Sequence, residues 1–218
     1  MNSRATRRLI WVPVIHTQAD LGNMSESVKN LYIRRMGGEK WARHIKTIHE
    51  MWQRIRREVE GLDLDYRTVR LYQDGLPDCG HEAQIVASLA KAGSHNHRLL
   101  LKLTKRGARI TGTESPQLLL EEYELARRLL IGAGSHQRPR PAPHRVQQDR
   151  HMLDMRDRYI AERINKTLKP GETGVIFLGM LHSLTGRLAS DIEVTRMAAH
   201  LGSPRMGEAP AHYPKRQT

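Results

Sequence analysis

At 218 residues the chain is the size of one domain and can bury enough surface to be stable unaided. Its 36 Lys and Arg against 23 Asp and Glu leave a formal net charge of +13, which favours contact with nucleic acid, an anionic surface or a phosphorylated ligand. No Arg/Lys run interleaved with aromatics accompanies that charge, so basic residues scattered over solvated helix faces are the simpler expectation. No apolar run approaches the roughly 20 residues that span a bilayer. The lone Cys79 excludes an intrachain disulfide and fits a reducing, cytoplasmic location.

The first apolar segment, Leu9-Ile-Trp-Val-Pro-Val-Ile15, is short and β-branched and reads as a buried strand. Pro13 calls for an edge position or a bend there. The apolar stretch ends at His16 and Asp20, too short and broken for a signal peptide. Helical spacing from Val28 to Val59 carries Trp41, Ile45, Ile48, Trp52 and Ile55, and Gly37-Gly38 divides it into two helices. Thr68–Tyr72 is a second strand closed by Gln73-Asp-Gly-Leu-Pro77, strong turn chemistry. Helices are expected over Glu82–Lys91 and from Ser94 toward Gly107, then a weaker strand over Ala108–Gly112. Ser115-Pro116 opens a further helix with proline at its first position.

The Gly- and Pro-rich stretch 132–148 is expected to be a flexible loop, able to act as a lid. A helix follows from about Gln148 to Leu168, then the clearest strand, Gly174–Leu178, and a last short helix to about Leu201. Residues 202–218 read as a disordered basic tail. Strands separated by long helical crossovers predict an α/β fold, a single domain with a mainly parallel sheet of about four strands and helices packed on its faces.

Ligands of such sheets bind beyond the carboxyl ends of the strands. Those ends place His16, then Gln73 and Asp74, then Glu114, then His182 on one edge, from four distant segments. Two imidazoles with a carboxylate match the ligand sets of hydrolytic zinc sites and facial-triad metal sites, so His16, Glu114 and His182 are candidate ligands for a divalent ion such as Zn, Mn or Co. Without a metal, one histidine could act as general base, oriented by Asp74 or Glu114. His44, His49, His81, His95 and His97 lack metal-ligand spacing and read as surface residues. No Gly-x-Ser-x-Gly elbow, Walker loop or His-Glu-x-x-His is present.

The helix segment containing Arg156-Asp157, followed by a strand ending in Gly179-Met-Leu-His182, resembles the closing part of the superfamily that includes TraB, Tiki proteins, erythromycin esterases and ChaN-like haem-binding proteins. In the first strand Pro13-Val-Ile-His16 keeps that superfamily's histidine but not its glycine, and Glu114 corresponds to its acidic residue after a middle strand. The resemblance implies a hydrolase-like site whose metal requirement varies among members, with Arg156 facing it and able to hold a carboxylate or phosphate. Arg156 shares a helix face with Met152, Tyr159 and Ile160, so it should meet Glu114 or Asp74 rather than reach water. The expectation is a hydrolase acting on a small-molecule or peptide substrate, with His16, Asp74, Glu114, Arg156 and His182 as its residues. The alternative is a non-catalytic ligand sensor or nucleic-acid-associated protein.

Overall fold

The computed structural model describes residues 6–17, 20, 25–132 and 143–198, with only the backbone described at 129–132 and 143–144. Among these residues five strands form one sheet: β1 (Arg7–Val14), β2 (Val69–Gln73), β3 (Arg109–Ile110), β4 (Thr173–Gly179) and β5 (Ile192–Arg196). The order is β3-β2-β4-β1-β5 and every pairing is parallel. Six helices connect them: α1 (Ser25–Met36), α2 (Gly38–Glu60), α3 (Glu82–Lys91), α4 (His95–Lys105), α5 (Pro116–Gly132) and α6 (Pro143–Thr167). None is long and apolar enough to cross a membrane.

Alternation along the strands divides the core between two faces. Ile10, Val12, Val14, Leu71, Val175 and Phe177 pack with Ile48, Trp52, Ile55 and Val59 of α2 and with Leu99, Leu100 and Leu103 of α4. Leu9, Trp11, Tyr72, Ile176 and Leu178 pack on the opposite face with Ile160, Ala161 and Ile164 of α6. Side chains that alternate between two buried faces explain why the strands read as continuous apolar runs.

Two expectations are corrected. Residues 192–196 are β5 and not part of a last short helix, which brings the expected sheet of about four strands to five. The β5 sequence, Ile-Glu-Val-Thr-Arg, carries β-branched residues at alternate positions, and pairing with β1 decides the conformation. The helix expected from Gln148 already begins at Pro143, with proline in the favoured first turn. The rest of the expected loop, from 133 to 142, and the expected tail lie outside the described residues.

The Gly37 break falls between α1 and α2 as expected. Pro13 lies in an inner strand, yet its position is locally an edge. The β1–β5 pairing stops at Trp11, whose carbonyl accepts from Met197 N at 2.9 Å. Alternate residues of a strand point their backbone polar groups to the same side, so Pro13 N faces the side where β5 has ended.

From Pro13 the chain runs to His16, and Trp52 of α2 holds this exit by donating its Nε1–H to Ile15 O at 3.1 Å. Trp52→Phe should lower stability by about 1–2 kcal/mol, the net worth of such a bond plus imperfect refilling. Urea unfolding measures this, and a midpoint unchanged from wild type would remove the role assigned to the indole N–H.

Candidate active site at the carboxyl edge

The site begins with a turn. Leu76 N donates to Gln73 O at 3.1 Å, and Gly75 has φ of +77°. A glycine at the third position with positive φ is the signature of a type II turn. The turn frees Gly75 N to donate to Glu114 Oε1 at 2.7 Å, while Asp74 points along the edge of the sheet. Glu114 is fixed by its own backbone as well, its N–H donating to Leu76 O at 3.0 Å and its carbonyl accepting from Asp78 N at 2.8 Å.

Asp74 is the hub. Its Oδ2 lies 3.0 Å from His16 Nε2, 2.9 Å from the donating Gly179 N–H and 3.4 Å from His182 Nε2. Its Oδ1 accepts from Arg156 Nη2 at 2.8 Å. Gly179 is required by this approach, because a Cβ there would stand 2.7 Å from Asp74 Oδ2. His182 follows in a tight turn, its N–H donating to Gly179 O at 3.1 Å. Asp157 accepts from His182 Nδ1 at 2.6 Å and from Ser183 N at 2.9 Å.

Arg156 and Asp157 come from α6, which runs antiparallel to the strands before turning into β4. Ile160 and Ile164 sit one and two turns beyond Arg156, and Ala161 one turn beyond Asp157, all of them buried. The stripe that packs on the sheet therefore continues past its carboxyl edge, and there it turns from apolar to charged. Arg156 Nε and Nη2 each donate to Glu114 at 2.6 Å, and Nη1 donates to both oxygens of Glu122 at 2.9 and 2.8 Å. The expectation that Arg156 meets Glu114 or Asp74 is met by both together. All of its nitrogens are engaged by carboxylates, so none is left to hold a substrate carboxylate or phosphate.

Electrostatics follow from this packing. Complete burial works to raise the Asp74 carboxyl, but hydrogen bonds from His16 and His182 hold it well below the carboxylate range. Burial raises Glu114, with the Asp74 charge acting in the same direction and Arg156 opposing. Burial lowers His182, yet its bonds to Asp157 and Asp74 prevail and push it up to about 9. His16 is likewise raised by Asp74 against its burial. It is the more accessible histidine, its side chain 35% exposed against 5% for His182.

The structure thus brings His16, Asp74, Glu114, Arg156 and His182 into one connected cluster. Asp74, Glu114 and His182 offer ligand atoms within 4.8 Å of one another, a group able to hold a metal ion. His16 joins through Asp74. Two members were missed by sequence reasoning. Glu122 sits one turn beyond the buried Leu118 on α5, which is the signal that it faces inward. Asp157 was part of the Arg-Asp pair that carries the resemblance but was given no place in the site.

His97, expected at the surface, is buried instead. Its Nδ1 lies 2.7 Å from Ser94 Oγ and 3.3 Å from Asp20 Oδ1. Ser94 also donates to Asp20 and caps α4 by accepting from His97 N at 3.2 Å. The three residue types are those of a nucleophilic triad, but the serine is fully buried and shares one ring nitrogen with the acid, so the group is a cap. Burial raises Asp20, but bonds from His97, Ser94 and Thr17 hold its carboxyl down to about 2. Asp20 Oδ2 accepts from Thr17 N at 2.7 Å and Thr17 Oγ1 at 2.8 Å, which ties down the residue after His16.

Two outcomes test this geometry. Gly179→Ala should displace Asp74 and loosen both histidines, seen as a fall of the His182 pKa toward 6.5 in an NMR titration; an unchanged titration would contradict the close approach. In metal-free protein, the His182 value of about 9 lies above its unfolded value of 6.5. Its stabilisation is then complete below pH 6.5 and is lost as pH rises through 9, a few kcal/mol at most. Unfolding midpoints should fall over that window in wild type and fall less in His182→Gln, where His16 remains the raised histidine. Comparison of the chain with known protein families, curated proteins and solved structures finds no match.

Proposed function

We propose that this edge is the active site of a hydrolase, with His16 and His182 as its proton-handling groups. The observation that carries the reading is Asp74 shared between two imidazoles from different strands, one of them backed by a second buried carboxylate. That is the base–orienter arrangement of acid–base hydrolysis. His16, on the accessible side, exchanges protons with water and substrate. His182, held protonated, faces charge that develops on an oxygen and stabilises it. Asp157 fixes its ring, and Arg156 keeps Asp74 and Glu114 from turning away.

The donor set also suits a divalent metal at Asp74, Glu114 and His182. Asp74 Oδ1 and Glu114 Oε2 each accept one hydrogen bond from Arg156 and so keep a lone pair. Asp157 on Nδ1 is the second partner that metal-binding histidines use. A bound ion would supply a water of lowered pKa and polarise a carbonyl or phosphoryl oxygen.

Kinship with the TraB, Tiki, erythromycin esterase and ChaN-like superfamily is part of this proposal. Its support is that Arg156, Asp157, Gly179 and His182, which carry the resemblance, all touch the same cluster. Anion capture by Arg156, the route to a sensor at this edge, lacks a free donor.

Purified protein should be assayed against ester, amide and phosphoester panels, with and without added Zn, Mn or Co. His182→Ala and His16→Ala should each lower turnover about 100-fold or more if the histidines act as acid and base. Arg156→Lys, which keeps the charge but loses the planar fork, should lose activity while staying folded. Full activity and metal content in both histidine variants would overturn the assignment.

A further inference from the structure

We infer that His49 and His95 form a second metal site, separate from the sheet edge, which takes a divalent transition ion of tetragonal preference such as Ni2+ or Cu2+. The inference does not rest on the hydrolase reading. His49 lies on α2 and His95 in the first turn of α4, and both are accessible. His49 Nδ1 is 3.1 Å from His95 Nε2, the ring centroids are 4.7 Å apart and the planes meet at 73°.

Those two distances carry more than proximity. In a straight N–H···N bond each centroid would sit roughly 1.15 Å behind its nitrogen, putting the centroids roughly 5.4 Å apart for this nitrogen separation. The observed 4.7 Å is too short for that, so the pair is not joined by a straight bond, and rings turned to one side of the line joining the nitrogens satisfy the shorter distance. Suppose both bind one ion at roughly 2.05 Å, with the centroids roughly 3.2 Å from it. A nitrogen separation of 3.1 Å then needs an angle at the ion of roughly 98°, and a centroid separation of 4.7 Å needs roughly 95°. Both distances are compatible with one shared ion. The angle is near that of two adjacent positions in a square or octahedral field, the fields that nickel and copper favour.

The surroundings agree. Gln53, one turn from His49, lies with its amide 2.8 Å from His49 Nε2. Turned to present its oxygen, that amide accepts the Nε2–H that a metal bound at Nδ1 requires. The ion would tie α2 to the first turn of α4, beside Ser94 and its bond to Asp20. Water completes the coordination on the open side.

Ni2+ is the better probe, because Cys79 is exposed and cupric ion oxidises thiols. Calorimetric titration of the full chain should show, besides any ion taken up at the sheet edge, a site that binds Ni2+ more tightly than Zn2+. His49→Gln or His95→Gln should abolish it, and Gln53→Ala should weaken it by about tenfold. Asp74→Asn should leave it intact, which separates it from the sheet edge. Both histidines are on the surface, so their variants should fold, and circular dichroism checks this. Unaltered Ni2+ stoichiometry and affinity in folded His49→Gln, or a site that prefers Zn2+, would overturn the inference.

Discussion

The carboxyl edge depends on one buried guanidinium. Arg156 is 7% exposed and is answered by Glu114, Asp74 and Glu122. Burial of an arginine is tolerable only where its donors are satisfied, and here every nitrogen has a carboxylate. The same contacts solve the reverse problem. Asp74 and Glu114 are almost fully buried and close enough to repel, and the guanidinium between them allows both to stay where the turn at Gly75 and the exit of β3 put them. Loss of Arg156 would leave three carboxylates facing one another, so its effect should spread well beyond its own contacts.

Counting charge around the cluster shows what it selects. Asp74, Glu114, Glu122 and Asp157 bring four carboxylates, and Arg156 offsets one of them. The remaining demand is for positive charge at His16 and His182, and the raised pKa of each histidine is the protein's answer to it. A proton and a divalent ion are two ways to meet that demand at the His182 Nε2 position.

Much of the edge was legible because a parallel sheet sends every strand exit to the same side. Once Leu9–Ile15 and Gly174–Leu178 read as strands, His16 and His182 had to be neighbours of the edge, and the Asp-Gly turn fixed Asp74 beside them. The inward face of Arg156 was legible from its apolar helix neighbours. What stayed hidden depends on tertiary pairing. The β-branched alternation of 192–196 is too short to decide the conformation until β1 offers its free side, and a carboxylate on a helix, such as Glu122, looks solvated until the arginine it meets is known. His97 was misread for the same reason. A histidine in a first helical turn reads as exposed, and only the return of Asp20 and Ser94 buries it.

The two faces of the sheet divide the site between them. The α2/α4 face governs His16: Trp52 holds the carbonyl of Ile15, and Asp20, anchored on Ser94 and His97, holds Thr17. The α6 face governs His182 through Asp157, and the carboxylates through Arg156. Asp74, at the end of the strand between these layers, touches both histidines. A shift of the α2/α4 layer against the sheet would thus change the distance from His16 to Asp74 while leaving His182 in place. Because the α2–α4 contact also carries the His49–His95 pair, an ion bound there would stiffen the layer that sets His16 and leave His182 to α6. The buried His182–Asp157 pair is then the fixed half of the site, and the accessible His16 is the half open to adjustment.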